Sequence, residues 1–370
     1  MKRIFCLLVT VIIVCSSLSC HALELSASSA VLIEAEHDTV LYEKDASSKR
    51  TMASTTKIMT AICALEEGDL TQKVKIAPEA VGVEGSSIYL RNGEELTLKE
   101  LVYGLMLNSG NDAAVAIAYA VSGSVEEFAK LMNKKAKEIG ADNSQFKNPN
   151  GLDEEGHYTT AYDLAQIAAY AMKNEEFKEI VSTYQTTIPG SEEETKRYLT
   201  NHNKLLKRMD GCIGVKTGFT KKSGRCLVSA AERNGVTLVA VTLNAPDDWN
   251  DHINMMEFGF ERVKRKSLIS KDDILQDINV DNGNRKKTRV VCGKDFSVPA
   301  VDGKCYVTRY KAKKSIIAPV KKGDEIGKVE FYLDNMLIGE VSAVAEETVD
   351  VDQTRKFGKS IRKILWGFVG

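Results

Sequence analysis

Net charge is almost absent from this chain: 50 Lys and Arg against 51 Asp and Glu leave a formal charge of -1 over 370 residues. No global field therefore points to nucleic acid as a partner. The cysteines never recur at the C-x-x-C spacing of metal or redox sites. No H-E-x-x-H pair occurs, and His37, His157, His202 and His252 are scattered, so a catalytic metal is not expected. The apolar run from Phe5 to Val14 is too short to span a membrane comfortably. What is present is a hydrophobic content of 43%, enough for a substantial core, and a length that favours about two domains.

The first 22 residues read as a secretory signal. Lys2 and Arg3 are followed by the apolar run, and Cys20-His21-Ala22 resembles a small-x-small cleavage site. Cys20 also raises a lipoprotein alternative, although Ser17 stands where a lipobox would want an aliphatic residue. The expected location is the outer face of the cytoplasmic membrane or the cell wall. Five cysteines remain after this segment. Cys63 suits a small core hydrophobe. A hairpin turning at Thr220–Ser223 would set Cys226 opposite Thr217, too far from Cys212 to bridge. Cys292 and Cys305 flank a possible hairpin and could bridge.

Val31–Glu34 and Val40–Tyr42 read as a hairpin, followed by a helix over Ser54–Glu66. A helical region over Leu98–Ile139 is interrupted at Asn108–Asp112, where Ser109 and Gly110 are breakers. Thr160 and Asp163 form a possible capping pair ahead of further helix. Strand patterns then take over, with Asn234-Gly235 as a two-residue hairpin signal, and Asp247–Val263 returns to helix. Strands opening and closing a region filled by helices suit an α+β layout, an antiparallel sheet carrying packed helices. From about residue 269 to 349 the pattern changes to short alternating runs divided by turn residues, a small all-β module.

Residues 354–370 are basic and amphipathic. Phe357, Ile361, Ile364, Leu365 and Phe368 share one arc, with Arg355, Lys359, Arg362 and Lys363 opposite. This predicts a helix lying on an anionic membrane; an ordinary packed terminal helix is the alternative.

Ser54 and Lys57, in "MASTTKIMTA", are spaced to share a helical face. The same Ser-x-x-Lys spacing recurs at Ser144/Lys147 and Ser360/Lys363, so it carries little alone. Two further elements change its weight: "SGN" at Ser109–Asn111, on the helix break, and "KTG" at Lys216–Gly218, on a strand. Their order and spacing match the penicillin-recognising serine acyltransferases. The stretches "MNKKAKEIGADNSQFKNPNGLDEEGHYTTAYDLAQIA", "NHNKLLKRMDGCIGVKTGFT" and "APVKKGDEIGKVEFYLDNMLIGEVSAVA" resemble the low-molecular-mass penicillin-binding proteins that are serine-type D-alanyl-D-alanine carboxypeptidases.

The resemblance implies the penicillin-binding/β-lactamase-like transpeptidase fold, an antiparallel sheet with helices packed on both sides. It divides the chain into a signal (1–22), a catalytic domain (23–268), a small β-sandwich-like domain (269–349) and a membrane-anchor helix (350–370). It implies D-alanine removal from peptidoglycan pentapeptides, acylation by β-lactams, and no metal or organic cofactor. Ser54 would attack, Lys57 accept its proton, and Ser109 relay a proton to the departing D-alanine. Asn111 would hold Lys57 and the substrate amide. Lys216 would supply positive potential, Thr217 bind the terminal carboxylate, and Gly218 let the substrate backbone approach. The N–H groups of Ser54 and Phe219 would form the oxyanion hole.

The chemistry fits independently. A serine hydroxyl needs an adjacent base, and burial plus a second cation, Lys216, would lower the Lys57 pKa. One departure stands out. Relatives often carry an arginine after the Asn234-Gly235 hairpin; here Asp247, Asp248 and Asp251 stand there, and His202 stands where some relatives have arginine. Carboxylate binding would then rest on Lys216, Thr217 and His202. A serine β-lactamase, or a catalytically idle β-lactam-binding wall protein, is the alternative function. No E-x-x-L-N stretch follows the S-x-N element to supply a deacylating glutamate.

Overall fold

The computed structural model describes residues 23–192 and 194–353. The expected signal and the amphipathic arcs of the tail lie outside the described residues.

The chain opens with the hairpin β1 (Ser29–Glu34) and β2 (Thr39–Lys44). A 3-10 turn (Ala53–Thr56) leads into α1 (Lys57–Glu67). Ser54 therefore sits in a tight turn before the helix, and not within it. A small hairpin, β3 (Lys73–Lys75) with β4 (Glu95–Thr97), precedes α2 (Leu98–Leu107). Thr97 and Glu100 close a capping box there. The break at Ser109-Gly110 is as expected, and α3 (Asn111–Ser122) follows. A second break at Gly123, in a left-handed conformation, separates it from α4 (Val125–Ile139). Next come α5 (Ala161–Ala171), with Asp163 N–H donating to the Thr160 hydroxyl, and α6 (Glu175–Ser182). A hairpin of β5 (Gln185–Pro189) and β6 (Lys196–Thr200) and a one-turn helix α7 (Leu205–Arg208) complete the middle.

β7 (Cys212–Thr220), β8 (Gly224–Arg233) and β9 (Val236–Leu243) then join the first hairpin in one antiparallel sheet of order β2-β1-β9-β8-β7. α8 (Asp248–Arg262) covers one face through Leu32, Leu227, Leu238, Met255 and Met256. The helices α1 to α6 cover the other, where Val31, Ile33, Val228 and Val241 meet Ile58, Leu101, Leu164 and Phe177. The fold is thus α+β, with helices on both faces of an antiparallel sheet. β7 forms the sheet's outer edge.

The β7–β8 register differs from the sequence expectation by one residue. Cys226 lies opposite Gly218, because Thr220 pairs with Gly224 and three residues, not two, make the turn. Ser223 N–H donates to the Thr220 hydroxyl to close it. Cys212 pairs with Ala231, and both cysteines are free.

The remaining strands form the all-β part. β10 (Val263–Ile269) follows α8 directly. After it come β11 (Ile274–Asp281), β12 (Lys287–Cys292), β13 (Phe296–Val301), β14 (Tyr306–Ala312), β15 (Ser315–Ile317), β16 (Glu325–Leu333) and β17 (Met336–Ala345). β10 pairs with β13, and six strands form a sheet of order β14-β16-β17-β12-β11-β15 over a core of Val290, Val329, Phe331 and Val341. Cys292 and Cys305 are free, one buried and one exposed. Cys292 ends β12 while Cys305 precedes β14, three positions away in the sheet. At the usual strand spacing that is roughly 14 Å, beyond disulfide reach.

Buried histidines make the catalytic half acid-sensitive, and His252 is the more deeply buried of two. His252 of α8 is fully buried, with Nδ1 2.5 Å from Ser229 Oγ and Nε2 2.9 Å from Thr242 Oγ1. Burial pushes its pKa down to about 3. The native state therefore binds fewer protons than the unfolded chain, and stability falls as pH drops from about 6.5 toward 3. The limiting slope from this one group is about 1.4 kcal/mol per pH unit. Chemical denaturation at stepped pH should show the loss, and His252→Gln should reduce the slope while leaving the part due to His157.

Candidate active site

The 3-10 turn that carries Ser54 is held from below. Ala53 has a positive φ of 47°, and its carbonyl accepts from the Thr56 hydroxyl at 2.8 Å. His157 takes the Lys147 N–H on Nδ1 at 3.0 Å, so its Nε2 carries the proton and faces Thr56 Oγ1 at 2.8 Å. Burial pushes the His157 pKa down to about 4, which keeps that donor pattern at neutral pH. The Asn148–Gly151 loop closes against the same turn. Gly151 has φ +87°, and a Cβ there would lie 2.0 Å from the Ala53 carbonyl oxygen, so only glycine permits the approach.

That approach delivers the Asn150 carbonyl to Lys57. Lys57 is fully buried, and its Nζ lies 2.5 Å from Asn150 O, 2.6 Å from Asn111 Oδ1 and 3.1 Å from Ser54 Oγ. Burial, then the nearby Lys216 charge, push its pKa well below 10.5, with Asp112 opposing. A neutral amine has two N–H donors and one lone pair. The two shorter contacts are to carbonyl oxygens, which only accept, so the donors go there. The lone pair is then left for the Ser54 hydroxyl, the geometry of a general base.

Asn111 begins α3 and is shared. Its Oδ1 accepts from Lys57, its Nδ2 donates to Glu84 O at 2.5 Å, and its backbone N–H donates to Ser86 O at 2.7 Å. Ser109, just before it, holds a left-handed conformation with φ 59°. The preceding segment is clamped to its neighbour: Thr200 N–H donates to Asn108 Oδ1, and His202 N–H to Leu107 O.

Lys216 is buried on β7 and donates to the Thr217 carbonyl at 3.0 Å. Burial pulls its pKa down to about 7. Gly218 faces the serine turn. A Cβ there would lie 3.1 Å from both Ser54 N and Thr55 N. The small residue therefore serves the strand's contact with the nucleophile's own backbone, a reason the sequence did not suggest.

Ser54, Ser109, His202, Thr217, Gly218 and Phe219 line one cleft of about 340 Å³, together with Ser86, Arg225, Asp248 and Trp249. Lys57, Asn111 and Lys216 lie buried beside them. All nine residues singled out in the sequence thus converge. Asn150, Asp112, Ser86 and Arg225 were not singled out. Only the turn-forming composition of Asn148-Pro149-Asn150-Gly151 could have marked a rigid loop there.

Such an arrangement suits a serine hydrolase with a lysine base. Comparison with known proteins agrees. Residues 16–247 match the family described as D-alanyl-D-alanine carboxypeptidase, and residues 264–351 match the C-terminal domain of penicillin-binding protein 5. The chain is 36% identical over 332 residues to the D-alanyl-D-alanine carboxypeptidase DacF of Bacillus subtilis, covering 87% of this chain and 85% of that protein. Identity to DacC of Escherichia coli is 29%, over 94% and 89% of the two chains. Penicillin-binding protein 5 from Haemophilus influenzae superposes with a TM-score of 0.65 at 28% identity, covering 88% of this chain and 98% of that one. The chain belongs to the D-alanyl-D-alanine carboxypeptidase family of penicillin-binding proteins, and is a serine peptidase.

Asp112 should be a structural determinant of the cleft. Its buried carboxylate accepts from Ser87 Oγ and from the N–H groups of Ile88 and Leu90. Asp112→Ala strands these donors, with an expected cost of about 2–4 kcal/mol. Hydrogen exchange should accelerate at Ile88 and Leu90 before global unfolding.

Proposed function

We propose that this protein removes the terminal D-alanine of peptidoglycan pentapeptide stems through an acyl-enzyme on Ser54. The observation that carries the assignment is the buried Lys57 amine with two carbonyl acceptors and a lone pair left for Ser54 Oγ. Ser54 Oγ attacks the carbonyl between the two D-alanines, and its proton passes to Lys57. Positive ends of the peptide dipoles at the start of α1, with the Ser54 and Phe219 N–H groups, stabilise the developing oxyanion. Collapse of this intermediate breaks the C–N bond, and Ser109 relays the proton to the departing nitrogen. Water then releases the shortened peptide.

Asn111 holds Lys57 in aim and takes the substrate amide. Lys216, at a pKa of about 7, supplies positive potential beside the base. Thr217 meets the terminal carboxylate, with His202 lining the same cleft. The substrate peptide extends along the open edge of β7, where Gly218 leaves room. β-Lactams, which offer a strained amide to the same serine, acylate it. Residues 354–370 hold the protein at the outer membrane surface, a reading supported by their amphipathic pattern alone. Among the described residues no helix is long and apolar enough to cross a membrane.

Incubation with a peptide ending in D-Ala-D-Ala should release D-alanine, and a fluorescent penicillin should label the protein covalently. Both should vanish in Ser54→Ala; labelling that persists there sinks the nucleophile assignment. Fast penicillin turnover without peptide cleavage would favour a β-lactamase instead. Acylation should rise with pH as Lys57 loses its proton, with a midpoint well below the ordinary lysine value of 10.5. A midpoint at 10 or above would remove Lys57 as the base. Deleting residues 354–370 should move the protein from membrane to soluble fraction, and unchanged partitioning would overturn the anchor.

A further inference from the structure

The cleft contains a permanent cation that the steps above do not use. Arg225 stands on β8 opposite Phe219, and Thr217 pairs with Leu227. Arg225 is thus the diagonal neighbour of Thr217 on one face of the sheet, a relation long side chains can span. Its Nε and Nη2 both donate to Asp248 Oδ1, at 3.1 and 2.7 Å. Its Cζ lies 5.6 Å from the centre of the Trp249 ring. The two sides of the pair are unequally exposed: the Arg225 side chain is 41% exposed and that of Asp248 only 3%. Both residues line the cleft shared with Ser54 and Thr217; the acid is fixed in the first turn of α8 and nearly buried, so the guanidinium is the part of the pair the cleft chiefly presents.

The other basic groups are poorly suited to hold an anion there. Lys57 and Lys216 are buried, and neither lines the cleft surface. His202 is pulled down by burial and then by Lys216. A guanidinium keeps its charge at any pH the protein survives and offers a planar fork matched to a carboxylate. A substrate whose leaving residue ends in a free carboxylate brings such a partner into this cleft.

We propose that Arg225 receives the free carboxylate of the substrate's terminal D-alanine beside the Thr217 hydroxyl, and that Asp248 is a positioning residue that aims the guanidinium. This rests on the carboxypeptidase reading above. It places the cation on the strand next to the edge, with α8 supplying the acid that orients it. The acidic start of α8, which stands where relatives often carry an arginine, becomes the support for a cation on the neighbouring strand.

The test compares two acyl donors that share an N-acylated D-alanyl thioester and differ in the leaving group: thioglycolate with a free carboxylate, and its methyl ester. The full chain should prefer the acid in kcat/KM by roughly 10- to 100-fold, the size of a charge-assisted contact. In Arg225→Ala that preference should fall toward one, with Arg225→Lys intermediate because charge survives and the fork does not. Asp248→Asn should keep more of the preference than Arg225→Ala. Thermal melts confirm that each variant is folded; if Arg225→Ala is not, the loss of preference in Arg225→Lys decides. A folded Arg225 variant that keeps the full preference, or that slows both donors equally, overturns the assignment. A wild-type protein acylated by neither donor overturns the carboxypeptidase reading itself, and this proposal with it.

Discussion

The structure turns on one ammonium group removed from water. Burying a lysine without an ion pair is costly, and Lys57 is buried with no carboxylate in contact, only oxygens of Ser54, Asn111 and Asn150. The protein accommodates it by making the neutral amine the favoured form, and a neutral amine is the form a base requires. Burial here sets reactivity. Three separate pieces of chain must therefore arrive at one nitrogen: the serine turn, the start of α3, and the loop ending at Gly151. Much of the helical layer serves to fix those three arrivals.

The fixing is done by polar groups that touch no substrate. His157 and Thr56 brace the serine turn from inside. Asp112 gathers the Ser87–Leu90 backbone. Arg197 extends that hold, donating to Ile88 O and Tyr89 O while pairing with the nearly buried Glu94. Tyr89, exposed and at a positive φ of 61°, lies in this clamped segment. Single losses of such buried partners are expensive because the remaining group is left unsatisfied. The cleft's shape thus depends on residues well outside it.

Legibility from sequence followed the range of the interaction. Ser54 and Lys57 are three residues apart, and local geometry brings them together; Ser109–Asn111 and Lys216–Gly218 were legible as short elements of fixed chemistry. The hairpins, the helix break at Ser109 and the α+β order were written in local pattern and turn residues. What failed was register and long-range meeting. A three-residue turn in place of two displaced the Cys226 partner by one position, and the distant β12 and β14 strands separated Cys292 from Cys305. The Asn150 carbonyl has no side-chain signature, and it meets Lys57 across 93 residues of chain. Arg225 was invisible because its meaning depends on which face of β8 looks toward α8.

β7 closes the sheet on one side and leaves its other side open. An unpaired strand edge is a template on which any extended chain can add, including another copy of the same protein. Most folds blunt such an edge with a bulge, a proline or a covering loop. Here the strand must stay straight and accessible beside Ser54, so those devices are restricted to its ends. The irregularity between Cys212 and Gly214 lies at one end, and the exposed lysines Lys221 and Lys222 at the other. Between them the molecule keeps a stretch of backbone on which an extended chain can add, so the edge that admits a peptide beside Ser54 is also the edge least defended against a second copy.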